Sequence, residues 1–120
     1  MTDPGQRHAA LARRLAAAAL DGPGRTRSEL RHTVERRAAK LSGRRAADPG
    51  NGGGLTAPLS TYIDKVALHA YRVTDGDVTA VQQAGLSDDG VFELTVAAAV
   101  GAALARLERG LAALRGEEPD

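Results

Sequence analysis

The chain has 120 residues, the length of one small domain, and it contains no cysteine, which excludes disulfides, thiolate metal ligands and any cysteine nucleophile or redox pair. Only Tyr62, Tyr71 and Phe92 are aromatic, so the core has to be built from Leu, Val and Ala and buries little area per residue. The net charge of +1 hides an asymmetry: residues 1–47 carry 11 Lys+Arg against 4 Asp+Glu, and residues 48–120 carry the other 5 against 11.

Asp3-Pro4 is a helix start, with Asp3 as cap and Pro4 in the first helical position. The helix runs to about Leu20, where Asp21-Gly22-Pro23-Gly24 stops it. Leu11, Leu15 and Ala18/Ala19 make a narrow apolar stripe. A second helix spans about 27–41 and ends at Gly43, with Leu30, Val34, Ala38 and Leu41 on one face and Arg31, Glu35, Arg36 and Lys40 on the polar one. Both helices are thinly apolar, and the expectation is that they cover the core only loosely. Residues 1–43 thus read as a basic helical pair.

Residues 44–58 read as a linker, because Asp48-Pro49-Gly50-Asn51 followed by three glycines cannot hold regular structure. No strand precedes the glycines and no Lys-Ser/Thr follows them, so they are a spacer and not a phosphate loop. A third helix spans 59–73, with Leu59, Ile63, Val66, Ala70 and Val73 on its apolar face and His69 near its middle. Thr74 then caps a short fourth helix, with Asp77 in the reciprocal position of a capping box. Gly85 ends that helix in the left-handed conformation.

Residues 87–115 form the long final helix. Ser87 caps it, and Asp88 and Asp89 place negative charge at the positive end of its dipole. From Val91 to Leu104 only Glu93 and Thr95 are strongly polar, so the helix is apolar nearly all round, the pattern of a buried central element. Its many Ala and Gly residues, Gly101 among them, let neighbouring helices approach closely. The fold class expected is all-α: a bundle of about five helices around a long C-terminal one, with residues 59–116 as a three-helix core.

Residues 66–111 resemble the C-terminal half of alkylhydroperoxidase D-like proteins of the carboxymuconolactone decarboxylase superfamily. The resemblance rests on V-T-D-x-D-V at 73–78, A-G-L-S-D at 84–88, Glu93 before an Ala/Val-rich helix, and Arg106 and Gly110-Leu111 near its end. It implies an all-helical subunit that assembles into a trimer or hexamer. Members with peroxidase activity use a Cys-x-x-Cys pair, helped by Glu and His, upstream of the matched part. This chain has the basic second helix and the glycine spacer there, and without a thiolate nothing can attack a peroxide oxygen.

Three residues are candidates for chemistry. His69 can act as a general acid or base near neutral pH. Glu93, if buried in its apolar helix, gains a raised pKa and becomes a proton donor. Arg106 can hold the carboxylate of a small organic acid. No His, Asp or Glu spacing matches a metal site, and no cofactor is implied. The helix-turn-helix look of Gly85-Leu86-Ser87 fails as a DNA reader, because Asp88, Asp89 and Glu93 would meet phosphates with like charge.

The leading functional expectation is therefore a non-redox, homo-oligomeric accessory or interaction module. The alternative is a cysteine-independent decarboxylase-like enzyme using His69, Glu93 and Arg106 in one pocket. The basic N-terminal half suits an acidic protein partner, whereas nucleic acid and membrane are not expected. Residues 15–20 are too short for a signal-peptide core, and the uncharged run 96–105 is half of a membrane span. The expected location is the cytoplasm, and the Arg- and Ala-rich composition suggests a GC-rich bacterial source.

Overall fold

In the computed structural model, which describes residues 4–43 and 55–116, the chain is a bundle of five α-helices with no strand among the described residues. The helices are α1 (Pro4–Asp21), α2 (Ser28–Leu41), α3 (Ala57–His69), α4 (Asp75–Gln83) and α5 (Asp88–Leu114), with a 3-10 turn, Ala70–Arg72, between α3 and α4. The Asp3 cap and residues 44–54 of the linker lie outside the described residues. Leu55 is buried, and Ala57-Pro58 form the first turn of α3, so that helix starts two residues earlier than its apolar face suggests.

The helix ends follow from local chemistry. The Ser87 hydroxyl accepts a hydrogen bond from the Gly90 amide at 3.1 Å. At α4 the capping box is complete: the Asp77 amide donates to the Thr74 hydroxyl at 3.2 Å, and the Thr74 amide donates to the Asp77 carboxylate at 2.9 Å. Gly85 sits at φ +117°, where a side chain would be strained, and reverses the chain into Leu86.

α5 organises the bundle. α2 runs parallel to it, with Thr26 beside Glu93 at one end, the Glu35 backbone against Gly101 in the middle, and Gly43 beside Arg109 at the other. α1 returns antiparallel: its C-terminal end meets the start of α2, while Gln6, Ala9 and Arg13 line a cleft with Leu104, Leu107 and Leu111. α3 flanks α5 on the other side, through Tyr62 at Thr95 and Ala67 at Arg106. One apolar core unites the two halves of the sequence, running from Leu20, Val34 and Ala38 to Leu59, Ile63, Val81, Leu94 and Ala98.

Two expectations need correction here. The N-terminal helices do not cover the core loosely, because Val34, Ala38 and Ala39 are wholly buried and α2 makes the closest approach to α5. A Cβ on Gly101 would stand 3.0 Å from the Glu35 carbonyl carbon and 3.1 Å from its Cα, inside the normal contact distance. α2 looked thin because Arg31 and Glu35, assigned to its polar face, are also buried. Arg31 is turned inward to donate from Nη1 to the Ala19 carbonyl at 2.9 Å, one of the carbonyls left open at the end of α1.

The second correction concerns α5, which is not buried all round. Gly90, Val91, Leu94, Ala97, Ala98, Gly101, Ala102 and Ala105 face the bundle, whereas Phe92 is 68% and Leu114 85% exposed. By length and composition α5 is apolar enough to cross a membrane, with 44% of its most apolar stretch buried in the bundle.

Candidate functional site

Glu93 sits one turn into α5, opposite the loop between α1 and α2. Its carboxylate accepts hydrogen bonds from the Arg25 amide at 2.7 Å, the Thr26 amide at 2.8 Å and the Thr26 hydroxyl at 2.6 Å. Gly24 allows this approach, since a Cβ there would stand 2.7 Å from Oε1. The Arg25 amide, then the Thr26 hydroxyl, hold the Glu93 carboxyl below the usual carboxylate range, outweighing the effect of burial. The raised pKa that burial alone would bring, and with it the proton-donor role, is not found. Glu93 is an anion that fixes the entry to α2, and its acceptor capacity is spent on the loop.

His69 is not central in its helix. α3 ends at His69, whose φ of −145° and ψ of 55° break the helical run before the 3-10 turn. The chain must become extended by Val73 and Thr74 to form the α4 cap, which stops the helix short of Val73. The imidazole is exposed and packs edge-to-face on Tyr71, ring centroids 6.0 Å apart at 88°.

Arg106 donates from Nη2 to the Ala67 carbonyl at 2.9 Å, satisfying an acceptor freed where α3 ends. Arg106 and His69 therefore share one end of α3. Glu93 does not join them. Thirteen residues separate it from Arg106 along α5, roughly 20 Å of rise and about 140° of rotation. The three candidate residues do not line one pocket, and two of them are occupied in closing helix ends and loops.

Other polar groups are likewise absorbed by the fold. Arg37 grips Asp64 with two hydrogen bonds of 2.9 and 2.8 Å, joining α2 to α3. Lys65 holds Asp77 at 3.0 and 2.8 Å, tying α3 to the cap of α4. The Thr95 hydroxyl donates to the Val91 carbonyl at 2.7 Å, so the buried Tyr62 hydroxyl must donate to Thr95, also at 2.7 Å. Among the described residues, the ion pairs Arg37–Asp64 and the exposed Arg25–Asp89 link the basic half of the chain to the acidic half. Among the described residues no three His, Asp or Glu side chains gather to hold a metal.

The cleft between α1 and α5 has a volume of about 380 Å³ and an apolar floor of Leu104, Leu107 and Leu111. His69, Glu93 and Arg106 are not in its lining.

The surface feature that sequence reasoning missed is the open face of α5. Helical spacing puts Phe92, Val96, Ala99, Ala103, Gly110 and Leu114 within about 60° of one another around the axis. None is buried, and none carries charge. The signal was present in the sequence as an apolar residue at each of these turns, but a helix apolar on every side does not say which side its own subunit leaves open.

No protein-family model, curated protein or solved structure matches this chain.

Proposed function

We propose that this chain is a non-redox helical interaction module that works as a homo-oligomer in the cytoplasm. One observation carries the reading: an apolar face runs along the central helix, with Phe92 and Leu114 among its exposed residues and Arg106 at its edge. Large exposed apolar patches on otherwise polar domains mark interaction surfaces. Exposed Leu11 and Leu15 on α1 add to the apolar surface that a small subunit gains by covering. The resemblance of residues 66–111 to an oligomeric helical family supports the same reading, with the thiol chemistry of that family removed by the absence of cysteine.

Static light scattering on the purified chain at micromolar concentration tests it. The expected mass is a multiple of the 12.4 kDa subunit. A mass of one subunit across that range refutes self-association.

A further inference from the structure

We infer that two copies of this chain pair through the open face of α5, with the two helices antiparallel and Phe92 of each copy seated over Gly110 of the other. This pairing rests on the self-association proposed above and specifies its geometry. Three observations carry it.

The first is Gly110. It lies in the helical part of α5, where glycine costs about 1 kcal/mol relative to alanine. The other two glycines of α5 have reasons within the subunit: a Cβ at Gly101 would strike the α2 backbone, and one at Gly90 would crowd Leu86 at 3.3 Å. A Cβ at Gly110 would meet nothing within 4 Å, and the residue has no left-handed backbone angle to require it. Among the described residues nothing accounts for the missing side chain. Its position on the exposed apolar face makes it a hollow for a bulky group from outside.

The second is charge. α5 opens with Asp88 and Asp89, the second already paired with Arg25, while its last ten residues, 105–114, hold Arg106 and Arg109 against Glu108, and Arg115 projects to the far side. Parallel pairing would set the two acidic ends side by side. Antiparallel pairing sets each acidic end near the arginine-rich end of the partner and also aligns the helix dipoles favourably.

The third is fit. With Phe92 over Gly110, Ala99 of each copy lies opposite Ala103 of the other around a two-fold axis at the level of residue 101. Alanines at the crossing let the axes approach to about 8 Å, the near end of the normal helix-packing range. In this register Val96 lies opposite the aliphatic stem of Arg106 of the other copy, and Leu114 reaches the level of its Asp88, so the two-fold contact is apolar at its centre and charged toward its ends. Phe92 and Leu114 alone expose on the order of 300 Å² per copy, taking about 200 Å² for a large side chain. Over two copies these side chains offer on the order of 600 Å², and the residues between them bring the contact toward the roughly 1,000 Å² of a specific interface.

The chain has no cysteine, so single cysteines report on the pairing directly. Phe92→Cys and Gly110→Cys are prepared separately and oxidised either alone or mixed, and the disulfide-linked species are read by mass. Equivalent positions in an antiparallel pair at this register stand about 27 Å apart, far beyond the roughly 7 Å that a disulfide spans. The expected result is little cross-linking of either variant alone and a Phe92→Cys/Gly110→Cys heterodimer in the mixture. Ala99→Cys mixed with Ala103→Cys gives a second pair and should behave alike. Both first positions are exposed, so when reduced Phe92→Cys should melt close to the wild type and Gly110→Cys no lower than it.

Efficient cross-linking of each variant with itself would mean parallel helices and overturn the inference. No cross-link in either mixture, with a wild-type mass of two or more subunits, would place self-association on another surface and also overturn it. A wild-type mass of one subunit overturns this pairing and the functional reading together.

Discussion

Replacing Gly101 with alanine puts a methyl group where α2 and α5 already touch. The new Cβ would lie 3.0 and 3.1 Å from the Glu35 carbonyl carbon and Cα, and closer still to the carbonyl oxygen. These are backbone atoms, so no rotamer change relieves the crowding, and the helices must separate by roughly 1 Å to restore normal contact. Alanine gains about 1 kcal/mol in helix propensity, and overpacking a tight contact costs typically 1–3 kcal/mol or more. The separation also loosens Val34, Ala38, Ala97, Ala98 and Ala102, all buried along this seam. Because the crowded atoms are backbone, the cost falls at the upper end, about 3 kcal/mol, and we expect a net loss of about 2 kcal/mol, a sizeable share of the roughly 6–18 kcal/mol that a domain of this length holds. Circular dichroism at 222 nm during urea and thermal unfolding measures it, and the expected fall in Tm is on the order of 10 °C. A variant as stable as the wild type would refute the claim that α2 and α5 meet backbone to backbone at Gly101.

Gly110→Ala is the matched opposite: below the association threshold it should raise stability by up to about 1 kcal/mol, while filling the hollow weakens self-association measured by sedimentation. Glu93→Gln removes the charge that three donors converge on, and urea unfolding at pH 7 should show a loss of about 1–2 kcal/mol, reduced from the buried-group figure because the Arg25 side is exposed. The folded-state pKa values of Glu93, Asp21 and Asp77 are all lowered. Their contribution is therefore full above the ordinary carboxylate range and lost as pH falls through the lowered values. Urea midpoints should be flat from pH 7 to about 5 and drop below about pH 4, with a shallower drop in Glu93→Gln. His69→Ala should leave unfolding within about 0.5 kcal/mol of wild type, because the imidazole is exposed and holds no helix end.

The joints of the fold were legible in the sequence because they are local. Thr74 with Asp77, Gly85 with Leu86, and Ser87 with the first turn of α5 each involve residues at most five apart. The partners of Glu93 were not legible, since Arg25 and Thr26 lie 68 and 67 residues away and offer mainly backbone amides, which no residue pattern announces. α2 was underrated for a related reason. Arg31 and Glu35 read as surface residues until the helix is placed against α5, where Gly101 draws the Glu35 backbone inward and the Ala19 carbonyl recruits Arg31. His69 was displaced from mid-helix to helix end by the demand of the Thr74 cap for extended backbone before it.

The claim that the open face of α5 is an interface is tested most directly by sedimentation equilibrium on wild type and Phe92→Glu side by side. Phe92 is 68% exposed, so the substitution leaves the subunit folded and places charge on the face. The account predicts a wild-type mass that is a multiple of 12.4 kDa and a variant near 12.4 kDa. Equal masses for the two, whether monomeric or associated, would contradict it.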